Sequence, residues 1–212
     1  MYALTFADGV EPNSTSFALD ALKKHNIKAT FYLSTCKVKK NKALLTDRKE
    51  VLDEVYGSWK IVKRELGKRL RHYRPAYGAL DKFGILTGSS FSIDYWTWDT
   101  WDYVYAPRAN KKYHALDDRV AYVAKRIMRR LKWTFLLWGG LKRMRRGLIQ
   151  LQHDRIPESM RSLPQMLETL VEKSKKHKFR FVRMDECTGV PETYDEEGNS
   201  SLLGKLRKRL LG

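Results

Sequence analysis

The feature that most constrains the fold is an alternation of strand, helix and strand over residues 1–33. Tyr2-Ala3-Leu4-Thr5-Phe6 is a short, mostly apolar run, and Asp8-Gly9 is a turn signal that closes it. Asn13, Ser14, Thr15 and Ser16 supply helix N-cap chemistry, and Phe17, Leu19, Ala21 and Leu22 follow at helical spacing. Lys23, Lys24 and His25 favour the negative end of that helix dipole, and Asn26 is suited to stop it. Ile27 to Leu33 is a second strand. Two parallel strands need a crossover between them, and a helix is the usual one, so this opening predicts an α/β chain with a parallel sheet.

The rest of the chain continues the alternation. A basic, polar loop over residues 37–50 leads into a predicted helix from about Asp47 to Leu66. Arg71 to Arg74 is a short strand entering the turn Pro75-Ala76-Tyr77-Gly78. Ser90 to Trp98 reads as a strand ending at Asp99-Thr100-Trp101-Asp102, and a long helix follows from about Asp117 to Trp133. Lys125, Arg126, Arg129 and Arg130 give that helix a basic face. Gly147 to Gln152 is a strand that presents His153-Asp154 at its end, Pro164 to His177 a helix, and Phe179 to Met184 a last strand. The pattern predicts one α/β domain over residues 1–190 and a basic tail over 191–212, with a parallel barrel or a doubly wound sheet as its architecture. Such folds collect chemistry at the carboxyl ends of their strands. Asp8, the stretch from Arg74 to Tyr77, the stretch from Asp99 to Tyr103, and His153-Asp154 all fall at such ends, which points to one shared site.

Composition narrows the function classes. Hydrophobic residues make up 42% of 212, enough for a packed core rather than a disordered chain. The formal net charge of +18 favours polyanionic partners such as nucleic acid, anionic lipid or acidic polysaccharide. The cations are spread along the whole chain rather than gathered in one tract, however, which favours a merely solvated basic surface. Cys36 and Cys187 form no C-x-x-C pair, which leaves a zinc knuckle or thioredoxin-type site unsupported; a single long-range disulfide is compatible with them but not fixed by them. The chain opens on a strand rather than on a basic segment and an apolar run, so no signal peptide is read. The apolar stretch Phe135 to Trp138 is far too short to span a bilayer, and the chain reads as soluble and untargeted.

Five segments, taken in order, resemble the motifs of the polysaccharide (chitin) deacetylases, the carbohydrate esterases of family 4 built on the NodB homology domain. Thr5-Phe6-Ala7-Asp8-Gly9 resembles that family's Thr-Phe-Asp-Asp-Gly opening, and Ala21 to Phe31 is similar to the segment that follows it. Arg74-Pro75-Ala76-Tyr77-Gly78 looks like the Arg-x-Pro-Tyr motif re-spaced, and Asp99-Thr100-Trp101-Asp102-Tyr103 like Asp-x-x-Asp-Trp. Leu151-Gln152-His153-Asp154 matches Leu-x-His-Asp, and Phe181 to Gly189 resembles the end of the fungal-type enzymes. The resemblance covers about residues 2–190. It implies an irregular, here shortened, (β/α) barrel and a reaction that hydrolyses N-acetyl groups of chitin or other N-acetylglucosamine polymers. In that family a divalent metal, usually zinc, is held by one aspartate and two histidines; it polarises the acetamide and activates water.

Carried over position by position, the resemblance makes Asp8 the metal aspartate, His153 the acid that protonates the leaving amine, and Asp102 the carboxylate that orients it. Arg74 becomes the partner of the general base, Tyr77 the residue whose backbone amide holds the oxyanion, and Trp101, Tyr103 and Leu151 the lining of the acetyl pocket. Each has a plainer reading when taken alone: a turn residue for Asp8, a hydrogen-bonded core histidine for His153, a surface cation for Arg74, and core packing for the last three. Two departures weaken the chemistry. Ala7 stands where the base aspartate is expected; a methyl group accepts no proton, and losing a general base costs about 10² to 10⁴ in rate. The expected His-x-x-x-His box is absent, because no histidine lies between His25 and His72. One carboxylate cannot supply the three protein ligands of a catalytic zinc.

The sequence therefore predicts a deacetylase-like chain with lost or strongly impaired activity, little or no bound metal, and retained binding of N-acetylglucosamine polymers. Two other readings remain open at this level: an active enzyme in which His72 or His114 joins Asp8 on the metal, and a cationic nucleic-acid or acidic-glycan binder. A truncated or mis-spliced gene would also produce the missing box. Relatives are mostly secreted or cell-wall proteins; this chain gives no address of its own.

Overall fold

The structure is a computed structural model that describes residues 1–33, 60, 63–64, 67, 69–78, 91–137, 147–191 and 193–194. These residues fall in two compact units, the first formed by Met1–Leu33 and Trp96–Thr188, the second by Ser34–Tyr95 and Gly189–Gly212. The predicted Asp47–Leu66 helix, Cys36 and the tail beyond residue 194 lie outside the described residues, apart from isolated helical positions at 60, 63 and 64.

In chain order the elements are β1 (Tyr2–Gly9), α1 (Pro12–Lys24), β2 (Thr30–Leu33), β3 (Arg69–Leu70), β4 (His72–Tyr73), β5 (Ser92–Ile93), β6 (Trp98–Asp99), α2 (Asp102–Lys112), α3 (Leu116–Leu137), β7 (Leu148–His153), α4 (Pro157–His177), β8 (Phe181–Val182), α5 (Met184–Thr188) and β9 (Thr193–Tyr194). The first unit holds one sheet in the order β2-β1-β7-β6, with β8 also paired to the start of β1, and every pairing is parallel. The opening strand–helix–strand thus forms the parallel unit its sequence predicts. Among the described residues this sheet is open rather than closed into a ring.

The sheet puts its two faces to different uses. Tyr2, Leu4 and Phe6 of β1, Trp98 of β6 and Leu148 of β7 all belong to the main apolar core, which also takes Ala18, Ala21 and Leu22 of α1. Val123, Ile127 and Leu131 of α3 enter the same core, as do Met160, Leu163, Met166, Leu167 and Leu170 of α4. Their spacings of three and four residues are what places them on one stripe of each helix. Leu163, Leu167 and Leu170 are fully buried, each contributing roughly 1.5–3 kcal/mol. Strand alternation sends Thr5, Ala7, Leu151 and His153 to the opposite face. There the register sets Thr5 beside Leu151 and Ala7 beside His153, with Asp99 of β6 beside Leu151.

Several elements differ from the sequence expectation. The expected Ser90–Trp98 strand is two short strands, β5 and β6, in separate sheets. Helix α4 starts at Pro157 rather than Pro164: Pro157 sits in the first turn, where its missing N–H costs nothing, and burial of Ser159, Met160 and Leu163 holds Pro164 inside the helix. Helix α2 was not expected from sequence, because Pro107 interrupts its pattern and removes one internal hydrogen bond. In the expected Phe179–Met184 strand only Phe181–Val182 pairs, and α5 begins at Met184.

In the second unit, β4 pairs parallel with β5 and β3 pairs antiparallel with β9, whose two residues lie within the predicted tail. No helix among the described residues is long and apolar enough to cross a membrane.

Candidate functional site

Asp102 opens α2 and is fully buried, with its carboxylate enclosed by four donors. Oδ1 accepts from the Tyr103 backbone N–H at 2.9 Å and lies 2.8 Å from His153 Nδ1; Oδ2 accepts from the His153 backbone N–H at 2.8 Å and from Ser159 Oγ at 2.7 Å. A carboxylate can only accept, so His153 carries its proton on Nδ1. Nε2 has no protein partner among the described residues and is the nitrogen open to a ligand. Burial works to lower the pKa of His153, but the hydrogen bond and charge of Asp102, with Asp8 and Asp99 adding, outweigh it and raise the pKa above 6.5.

Around this pair stand the other predicted residues of the first unit. The ring of Tyr103 meets that of His153 edge-on at 5.3 Å, and its hydroxyl reaches Asp99 Oδ2 at 3.4 Å. Trp101 is exposed and adopts a left-handed φ of 58°; its N–H donates to Asp99 Oδ1 at 2.8 Å, and the Arg130 guanidinium lies 3.9 Å above its ring. Burial raises the pKa of Asp99, and the negative charge of Asp102 adds to this. Leu151 is buried on the same sheet face as Ala7 and His153.

Asp8 sits at the end of β1 with a φ of 74°. Non-glycine residues in this left-handed region cost about 1–3 kcal/mol and cluster at functional sites. Its Oδ2 lies 3.0 Å from Arg155 Nε, an ion pair the sequence reading did not identify. Asp154, next to His153, turns away from this cluster: its Oδ2 accepts from Thr15 Oγ1 at 2.8 Å and its carbonyl accepts from Ser14 Oγ, which ties β7 to the start of α1. Burial raises its pKa. Gly9 lies so close that an added Cβ would come 1.9 Å from Asp154 Oδ2.

Arg74 and Tyr77 belong to the second unit. Arg74 Nε donates to the Asp94 carbonyl at 3.2 Å, and Tyr77 is exposed in a tight turn at a φ of 58°. His72 is half-buried in the same unit, with Nδ1 2.7 Å from Asp94 Oδ2 and Nε2 3.0 Å from the Val190 carbonyl. Both ring nitrogens are thus turned to protein oxygens. His114 lies beyond the far end of α2, about 16 Å of helix from Asp102.

A zinc-type centre needs three converging protein ligands. Among the described residues no three His, Cys, Asp or Glu side chains converge in that way, and all five histidines of the sequence are among those described. The one predicted metal ligand, Asp8, has a guanidinium as its partner. The described residues do not fit the metal.

Sequence reasoning passed over Ser159, Gln152 and Arg155. The signal available for Ser159 was Pro157 followed by Glu158, a proline and an acid in a helix's first turn.

Residues 1–50 match the family model for polysaccharide deacetylase. The peptidoglycan-N-acetylglucosamine deacetylase PgdA of Listeria monocytogenes is 27% identical over 209 residues, covering 88% of this chain. The chain spans only 38% of that relative's length. Among solved structures, the peptidoglycan deacetylase PdaC of Bacillus subtilis superposes with a TM-score of 0.64 at 20% identity, covering 99% of this chain and 96% of that one. The chitin deacetylase of the fungal pathogen Colletotrichum lindemuthianum gives 0.65 at 18% identity, with 92% and 93% covered.

Proposed function

We propose that this chain, whose domain is of the polysaccharide deacetylase type, binds N-acetylglucosamine polymers and hydrolyses their N-acetyl groups weakly or not at all. The observation that carries this reading is the pairing of Ala7 with His153 across β1 and β7. His153, held by Asp102, supplies the acid half of a deacetylase site in this reading. The position across from it, where the family places a base, carries a methyl group. Asp8 is drawn to Arg155, and the histidines a metal would need are missing from the sequence. In this reading His153, when its ring is doubly protonated, donates from Nε2 to a bound acetamide oxygen, Trp101 and Tyr103 pack against sugar rings, and Leu151 borders the acetyl methyl. The relatives act on peptidoglycan or chitin by name, so both polymers are candidate ligands here.

The test measures acetate release from N-acetylglucosamine oligomers and from peptidoglycan with zinc or cobalt added, beside calorimetric binding of the same oligomers. The expected result is release at the no-protein background together with measurable binding. Sustained turnover, or one equivalent of tightly held zinc by elemental analysis, would overturn the reading.

A second reading rests on a separate surface. Lys112, Lys125, Arg126 and Arg129 line a cavity of about 460 Å³ between α2 and α3, with Asp118 the one carboxylate among its lining residues. Arg126 stacks on Tyr122 at 5.1 Å and Lys112 on Tyr113 at 5.2 Å, which holds two of the cations in place before any anion arrives. An acidic glycan is the polyanion assigned to this site, since Lys112 and Arg126 each cover one face of the tyrosines on which a base would stack. Salt-sensitive retention on heparin, weakened about tenfold by K125E/R126E/R129E with unchanged binding of neutral oligomers, would support it; retention unaffected by that variant would remove it.

A further inference from the structure

Five buried polar side chains form one continuous line of hydrogen bonds through the core of the first unit and end on the Asp102–His153 pair. Tyr2 Oη donates to Gln150 Oε1 at 2.7 Å, and Gln150 Nε2 donates to Gln152 Oε1 at 2.8 Å. Gln152 Nε2 donates to Ser159 Oγ at 2.8 Å, and Ser159 Oγ donates to Asp102 Oδ2 at 2.7 Å. Tyr2, Gln150, Gln152, Ser159 and Asp102 are each 0% exposed.

Chemistry forces the direction of this line. Asp102 can only accept, so Ser159 spends its single proton there and must accept from Gln152. Gln152 therefore turns its amide nitrogen to Ser159 and its oxygen to Gln150, and Gln150 turns its oxygen to the tyrosine hydroxyl. Burial pushes the Tyr2 pKa well above its ordinary value, which keeps the starting proton on the oxygen. Every dipole then points the same way, toward the carboxylate. An apolar core would avoid the desolvation cost risked by each buried polar group, so a complete and uniformly directed line calls for a role.

We propose that Ser159 and Gln152 are positioning residues for His153, acting through Asp102, and that Gln150 and Tyr2 anchor the far end of the line. Ser159 takes up part of the Asp102 charge and fixes the rotation of its carboxylate. The remaining oxygen then sets His153 as an Nδ1–H donor with Nε2 turned to the ligand. This rests on the reading above that His153 faces the bound polymer, but the line itself is a property of the ligand-free protein.

The experiment is nitrogen-detected NMR of the His153 ring in the ligand-free, 212-residue chain. Ser159→Ala leaves Asp102 with three donors instead of four, concentrating its charge on His153. The Nδ1–H resonance then moves downfield and the His153 pKa rises further. Loss of one bond in such a chain weakens its neighbour by only roughly 10–30%. Gln152→Leu is therefore expected to give a shift of the same sign but at least about threefold smaller, and Tyr2→Phe none that can be measured. Ser159→Thr keeps the hydroxyl and restores the wild-type ring signals. Thermal melts identify any variant that fails to fold, in which case Ser159→Thr against Ser159→Ala alone carries the comparison. Unchanged His153 signals in Ser159→Ala would overturn the proposal. So would a Tyr2→Phe effect as large as that of Ser159→Ala, which would mark a packing disturbance. Failure of polymer binding leaves these signals untouched, so the two readings fail separately.

Discussion

Replacing Asp102 by asparagine tests how much of the fold depends on one buried carboxylate. The substitution keeps the shape and exchanges one acceptor oxygen for an NH2 donor. If the nitrogen takes the Oδ1 place, the Tyr103 N–H loses its acceptor; if it takes the Oδ2 place, the His153 backbone N–H loses its own. The partner on the same oxygen can adapt, since the His153 ring can change tautomer and the Ser159 hydroxyl can turn. One backbone N–H is therefore stranded in either arrangement, at about 1–3 kcal/mol. The surviving bonds become neutral ones, about half as strong as charge-assisted ones. The sum is a loss of about 3 kcal/mol, or roughly 6–12 °C in Tm for a chain of this size. Circular dichroism melts and urea titrations of wild type and Asp102→Asn read this directly. A Tm within about 2 °C of wild type would refute the reasoning, because it would mean that the four donors are not satisfied by Asp102 in the folded protein.

The raised pKa of His153 predicts a pH-dependent stability. Its contribution is fully present below 6.5 and is lost as pH rises through the higher folded value, so wild type weakens across that window while His153→Gln stays flat in urea titrations. Ala7→Asp alone will not produce acetate release above background, because a base without metal ligands has no activated water to use; any clear gain over wild type would show that the metal site is better supplied than its residues suggest. Gly9→Ala drives a methyl into the Asp154 carboxylate and is expected to cost roughly 1–3 kcal/mol by denaturant titration, with an unchanged midpoint counting against that contact. Leu167→Ala, at a fully buried position of α4, is expected to lose about 2–5 kcal/mol in the same assay.

The sequence by itself determined the parallel strand–helix–strand opening, since apolar periodicity and the Asp8-Gly9 turn act over a few neighbouring residues. It also fixed alanine at position 7 and the lack of any histidine between His25 and His72, facts of the sequence that no folding can reverse. It placed His153 and Asp102 as partners only through family resemblance; their 2.8 Å contact depends on β7 and the start of α2 meeting at the end of the sheet. Helix α2 and the early start of α4 were hidden by Pro107 and Pro164, where local propensity argues against a helix and buried packing overrides it. Only the tertiary structure decided what surrounds the pair: Ser159 lies 57 residues from Asp102 and Gln150 lies 148 from Tyr2, so which side chains meet is set by strand register and helix packing. Such contacts leave no local pattern, because a hydrogen bond between distant residues needs only compatible donors and acceptors, which many buried glutamines and serines would satisfy equally well. The partnership of Asp8 with Arg155 belongs to the same class: the residues are legible, but their meeting follows from β1 and β7 lying side by side.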